Sequence, residues 1–145
     1  MKKICFLLCC LLMAVSACKK ENTAFGNKLL GKWLLQKVEY TDYDVNNKII
    51  GHATSGFSAT DYMLFDKDKT GETVTDDRTP FGPQIRKFTY NIDQSNVNIK
   101  YQYDTKAKTY KIKVVNENQV ILTYNYDPWE DSIVNEKAET YLIRP

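Results

Sequence analysis

From Phe88 onward, apolar and polar residues alternate in successive short runs, separated by polar turns. Phe88, Tyr90 and Ile92 interleave with Thr89 and Asn91, and Val97, Ile99, Tyr101 and Tyr103 with Asn98, Lys100 and Gln102. Tyr110, Ile112 and Val114 then alternate with Lys111 and Lys113, and Val120, Leu122, Tyr124 and Tyr126 supply a fourth set. A period of two puts one set of side chains on a buried face and the other in water, the pattern of an antiparallel sheet with one wet side. The connections Asp93–Asn96, Asp104–Lys108 and Asn116–Asn118 are short and rich in turn formers, so consecutive strands are expected to pair as hairpins.

Runs rich in Val, Ile, Tyr, Phe and Thr extend this pattern to the earlier part of the chain, with no long stretch of helical period. Strands are predicted over residues 32–40, 61–66, 71–76, 86–92, 97–103, 109–115, 119–126 and 138–143. The expected architecture is all-β: an eight-stranded antiparallel up-and-down meander that closes into a small barrel. Two stretches break the short-turn rule, residues 45–59, with room for a small extra strand near Ile49 and Ile50, and 76–84, with Pro80 and Pro83. They read as long loops, either plain connections or the rim of a barrel mouth.

The first residues obey different rules. Lys2 and Lys3 precede an apolar run from Ile4 to Val15 that ends in the small Ser16 and Ala17, the order of an export signal. At ~1.5 Å per residue such a run covers about 18 Å as a helix, short of a ~30 Å hydrocarbon core, so a membrane-spanning anchor is disfavoured. Val15-Ser16-Ala17-Cys18 resembles the lipobox of bacterial lipoproteins, with Val where Leu is commonest. The resemblance implies that residues 1–17 are removed and that Cys18 is acylated and becomes the new N-terminus. Two or three acyl chains give durable attachment where one is marginal. Residues 18–28 are then a polar tether and 29–145 the folded domain.

Cysteine and charge fit that division. The other cysteines, Cys5, Cys9 and Cys10, leave with the signal, so the mature domain has no disulfide and must rely on its core. The 128 residues from Cys18 onward suffice for one core. Loss of Lys2 and Lys3 leaves 18 basic residues against 18 acidic, and no basic cluster accompanies an aromatic platform, which argues against nucleic acid as a partner.

Gly31-Lys32-Trp33 at the first strand, Tyr62-Met63-Leu64-Phe65 before the Asp66–Gly71 turn, and the closing Tyr141-Leu142-Ile143-Arg144 resemble the small lipocalin-like lipoproteins of Gram-negative bacteria. The resemblance covers residues 29–145. It implies a barrel or half-barrel able to enclose a small apolar ligand, with Trp33 at the closed end beneath Arg144, a contact of ~0.5–2 kcal/mol. Function carried over from a fold is analogy, and the ligand stays unnamed.

Catalytic constellations are sparse. Nucleophilic catalysis needs Ser or Cys with a base, and the single histidine, His52, falls in a predicted loop beside Gly51. Glu130 with Asp131, and Asp76 with Asp77, are adjacent carboxylates, which point to opposite faces on a strand. No set of metal ligands occurs at a recognisable spacing, and neither a cofactor nor enzymatic activity is expected. Asp66 to Glu72 resembles the start of a calcium loop, but its flanks read as strands, so a hairpin turn with Gly71 at positive φ is expected instead.

The aromatic residues Tyr90, Tyr101, Tyr103, Tyr110 and Tyr124, together with Tyr126, are candidates to line a cavity for an amphipathic ligand. The alternative, favoured by so many rings in so small a barrel, is a filled core. Trp129, in a loop after Asp127-Pro128, is a further candidate for a ligand or partner contact. The leading expectation is therefore a lipid-anchored binding barrel. The second is a module docking onto another envelope protein through Trp129 and the 45–59 and 76–84 loops. Lys19 after Cys18 lacks the Asp associated with inner-membrane retention, which favours the outer membrane, and Lys19-Lys20-Glu21 is only a weak version of the acidic cluster of surface-exported lipoproteins, which favours the periplasmic face over the cell surface.

Overall fold

A computed structural model describes residues 27–76, 82–126 and 135–145. Cys18 and Trp129 lie outside the described residues. A helical turn at 27–29 leads into nine strands: β1 (Gly31–Tyr43), β2 (Ile49–Gly56), β3 (Tyr62–Phe65), β4 (Thr70–Thr75), β5 (Gln84–Asp93), β6 (Asn96–Tyr101), β7 (Lys108–Asn116), β8 (Gln119–Tyr126) and β9 (Asn135–Ile143). Every pairing is antiparallel. β1, β3 and then β4 to β9 form a ring in chain order, closed where β1 pairs with β9 from Leu34↔Ile143 to Tyr43↔Asn135. The expected eight-stranded meander and barrel are present, with β2 added outside the ring.

β2 is the small extra strand allowed for near Ile49 and Ile50, longer than expected, within residues 45–59 otherwise read as a loop. One edge of β1 is shared: Gly31–Leu34 pair with Phe65–Tyr62 of β3, and Lys37–Tyr43 pair with Gly56–Ile49 of β2. Between them residues 57–61 leave the ladder, held by Phe57 N–H to Gln36 O (3.3 Å) and Leu35 N–H to Asp61 O (2.9 Å). On the opposite edge the β1–β9 register slips at the same place, between Leu35 and Lys37, so β1 bends there as a bulged strand does. Asp61 fixes the excursion. Its buried carboxylate accepts from the backbone N–H of Ser58 (2.8 Å) and of Asp76 (2.7 Å).

The core occupies the end of the barrel from which β1 starts. Leu29, Trp33, Phe65, Phe88, Tyr90, Val97, Ile112, Val120 and Leu142 are buried there, and Leu35, Met63, Ile99 and Leu122 continue the same buried cluster toward the other end. Phe65 meets Phe88 at 5.3 Å and Tyr90 at 5.2 Å, both edge to face, the orientation aromatic quadrupoles favour. The Trp33 indole donates to Leu29 O at 2.8 Å, and the Arg144 guanidinium lies 4.2 Å above its ring while donating to Lys28 O at 3.0 Å. Gly31 makes this packing possible. Its φ is +100°, and a Cβ there would come within 2.9 Å of the Arg144 guanidinium. The ring and its core are thus built from residues 29–143, so a chain starting at Asn27 carries all that the barrel needs to fold.

Gly71 has a different reason from the one expected. The positive φ of the β3–β4 hairpin belongs to Lys69 (+70°), while Gly71 is a buried strand residue over which the Phe88 ring leans. Asp66 N–H donates to Thr70 O, and Asp68 Oδ1 accepts from both Thr70 N–H and Thr70 Oγ1, so the acidic side chain closes the turn.

The seam that closes the barrel carries a polar cluster on its outer face. Glu39 accepts from Lys37 Nζ (2.6 Å) and from the Tyr141 hydroxyl (2.8 Å), and Lys37 Nζ lies 4.4 Å from the Tyr141 ring centre. The bond to Glu39 leads the causes that push the Tyr141 phenol up to about 12, and Lys37 leads those that hold the Glu39 carboxyl below its ordinary value. A phenol whose pKa is higher folded than unfolded stabilises the fold fully below its unfolded pKa of about 10, and that contribution is lost as pH rises toward 12. Urea unfolding across pH 9–12 is expected to show stability falling in that window, and falling less steeply in Tyr141→Phe. An unchanged slope in the variant would exclude Tyr141 as the source.

Candidate functional site

The strand registers sort the inward residues level by level. Met63 is opposite Thr73, Thr73 opposite Arg86, Phe88 opposite Tyr101, Tyr110 opposite Val97, and Leu122 opposite both Ile112 and Thr140. Above the packed end these side chains leave a cavity of about 140 Å³. Its wall is apolar at Leu35, Phe57, Met63, Ile99 and Leu122, and hydroxyl-bearing at Thr73, Thr75, Thr140, Tyr101 and Tyr110. An apolar chamber with a few convergent polar groups is the usual form of a small-molecule site.

The hydroxyls are held in place and kept neutral. Tyr101 Oη and Thr73 Oγ1 are 2.9 Å apart, and the Tyr101 ring is packed at 5.5 Å against Phe88. Burial raises the pKa of Tyr101, partly offset by the bond to Thr73, and burial also leads the causes raising that of Tyr110. Both phenols remain protonated at physiological pH and can share a proton with a ligand oxygen or nitrogen. Toward the open end the rings continue, Tyr110 to Tyr124 at 5.2 Å and Tyr124 to Tyr126 at 6.0 Å. Arg86 caps this side, its guanidinium 4.2 Å from the Tyr101 ring centre and 3.7 Å from Asp104 Oδ1. Asp104 Oδ2 is buried without a hydrogen-bond partner among the described residues.

The candidates named from sequence separate accordingly. Tyr101 and Tyr110 line the cavity, and Tyr124 extends the ring stack outward. Tyr90 belongs to the packed end, 4% exposed, its hydroxyl donating to Asp66 O at 2.7 Å. Tyr103 must be corrected: it is 89% exposed, because β6 ends at Tyr101 and the chain turns there, with Asp104 N–H donating to Tyr101 O. His52 is an exposed residue of β2, its Nδ1 3.5 Å from Thr41 Oγ1. Among the described residues no group of three or more His, Cys, Asp or Glu side chains is placed to hold a metal ion.

Sequence reasoning missed Thr73, Thr75, Thr140, Phe57, Met63 and Arg86. In β4 the alternation misleads, since Val74 is the apolar residue but shares the outer face with Tyr62 and Ile85, where it lines a hollow with Ala59, Thr60 and Pro83. A larger hollow, about 720 Å³, lies over Leu64, Glu72, Lys87, Lys100 and Gln102. These belong to the wet face of β3–β6, beside Gly71, Phe88 and Tyr101, and the hollow is more open to solvent than the space inside the barrel, which is the better candidate.

The model of the lipocalin-like domain matches residues 29–136. The chain belongs to the lipocalin-like family. Among solved structures, a lipocalin-like protein from Bacteroides uniformis is similar in fold at 13% identity and a TM-score of 0.50, covering 81% of this chain and 99% of that one. An uncharacterized protein from Bacteroides eggerthii aligns at 14% identity and a TM-score of 0.44, over 77% of this chain and 98% of that one. No curated protein matches. At such identities the likeness concerns the lipocalin-like fold alone, and the chemistry of the interior must be argued from these residues.

Proposed function

We propose that this lipocalin-like protein is a non-enzymatic carrier that holds a small hydrophobic or amphipathic molecule in its barrel. In this reading residues 1–17 are removed and lipidated Cys18 anchors the domain to the outer membrane, on its periplasmic face. The observation that carries the binding reading is the interior cavity, apolar at Leu35, Met63, Ile99 and Leu122 and hydroxyl-lined at Thr73, Thr140, Tyr101 and Tyr110.

Its size narrows the ligand. Drug-sized ligands occupy pockets of ~300–1,000 Å³, whereas an apolar cavity near 150 Å³ accepts a benzene-sized ring. A space of about 140 Å³ therefore takes one small ring or a short alkyl tail, with any polar remainder directed along Tyr124 and Tyr126 to the open end. The test is calorimetric titration with phenol, a single ring bearing one hydroxyl. Thr140→Phe, which fills the cavity, is expected to weaken binding by about tenfold or more, and Tyr103→Ala to leave it unchanged. Equal affinity in Thr140→Phe and the parent would place the probe elsewhere and remove the support for an interior site.

A further inference from the structure

β2 is an edge strand with unusually little protection. Among the described residues it pairs only with β1, along Lys37–Tyr43, and its other edge has no strand partner. Natural sheets blunt such edges with charged side chains, proline, bulges or brevity. β2 runs for eight residues, Ile49-Ile50-Gly51-His52-Ala53-Thr54-Ser55-Gly56, with no Lys, Arg, Asp, Glu or Pro. Its only register irregularity is at the Ile49 end, opposite Asp42 and Tyr43. Seven of its residues are exposed, including Ile49 at 59% and Ile50 at 56%.

We propose that this edge is a self-association site, at which β2 pairs antiparallel with β2 of a second copy of this chain about a two-fold axis. The occupant follows from the composition of the edge. A charged partner strand would find no complementary charge along β2, whereas a second copy meets a neutral strand of equal length with no like charges opposed. A two-fold centred on Ala53 places Gly51 opposite Ser55 and Ile50 opposite Gly56 of the second copy, so small residues face one another and each Ile50 has room to lie across the seam. The pairing is isologous and closes at two chains, since each copy has one such edge among the described residues. The two copies of β2 then join the β1 strands of the two barrels in one continuous sheet. This surface lies outside the barrel interior, so its test is independent of ligand binding.

The test uses residues 27–145, which contain the whole ring and core and no cysteine. Sedimentation equilibrium is expected to show a concentration-dependent dimer, and Ala53→Cys to form a disulfide-linked dimer under mild oxidation while Tyr103→Cys, remote on the β6–β7 turn, does not. Thr54→Lys, on an exposed position of β2, brings like charges together across the seam and is expected to weaken dimerisation by about tenfold or more. A monomer at all concentrations would overturn the proposal. So would a dimer unaffected by Thr54→Lys, or equal crosslinking through positions 53 and 103.

Discussion

Trp33→Ala is expected to lower the free energy of unfolding by about 3–5 kcal/mol, the loss typical of a large aromatic removed from a packed core. Trp33 is 1% exposed and does three things at once. It fills the closed end, fixes the incoming chain through its bond to Leu29 O, and supports the Arg144 guanidinium. With urea slopes of ~1–3 kcal/mol/M, the midpoint should fall by about 2 M. Arg144→Ala removes only the stacked cation and its bond to Lys28 O, so it should cost about 1 kcal/mol. In the double variant the two losses should fall short of adding, because Arg144 has no ring to rest on once Trp33 is gone. Strict additivity would mean that the 4.2 Å contact contributes nothing.

Gly71→Ala is the second large effect, and it arises from the opposite fault. A Cβ at residue 71 would run into the Leu64 carbonyl oxygen on the paired strand and come within 2.5 Å of the Phe88 ring. Overfilling a packed site costs about 1–3 kcal/mol, and here the obstacle includes backbone, which has little freedom to move. Phe88 itself packs against Phe65 and Tyr101, so displacement of its ring should propagate to the cavity wall. Thermal unfolding of Gly71→Ala should show a midpoint lower by several degrees, together with weaker phenol binding. An unchanged midpoint would mean that β3 and β4 can separate without loss, contrary to the account of the hairpin.

The parts of this fold that could be read from sequence are those where one face is dry and the other wet. Phe88, Tyr90, Ile99 and Ile112 betray their strands because their neighbours are Thr, Asn or Lys. β2 gave no such signal. It is exposed on both sides, so its residues carry no alternation, and it is held by backbone pairing to β1 that no side chain announces. Tyr103 continued the alternation of β6 by one step too many, since the turn at Tyr101 depends on backbone bonds to Lys87 and within Tyr101–Asp104. The site was legible only in its aromatic half. Tyr101 and Tyr110 were foreseen, but Thr73 and Thr75 sit on a strand whose one apolar side chain, Val74, points outward. The cavity itself is a remainder, set by how closely Leu35, Phe57 and Met63 approach Ile99 and Leu122, and packing of that kind leaves no trace in periodicity.

Whether the barrel holds a small molecule is decided by native mass spectrometry of the protein purified from its own cells, before and after denaturation. The account predicts a mass excess in the native protein that is released on unfolding, of a compound no larger than one ring or short tail in its buried part, and reduced in Thr140→Phe. Native protein that releases no non-covalently held mass on unfolding would contradict it and leave the interior as core.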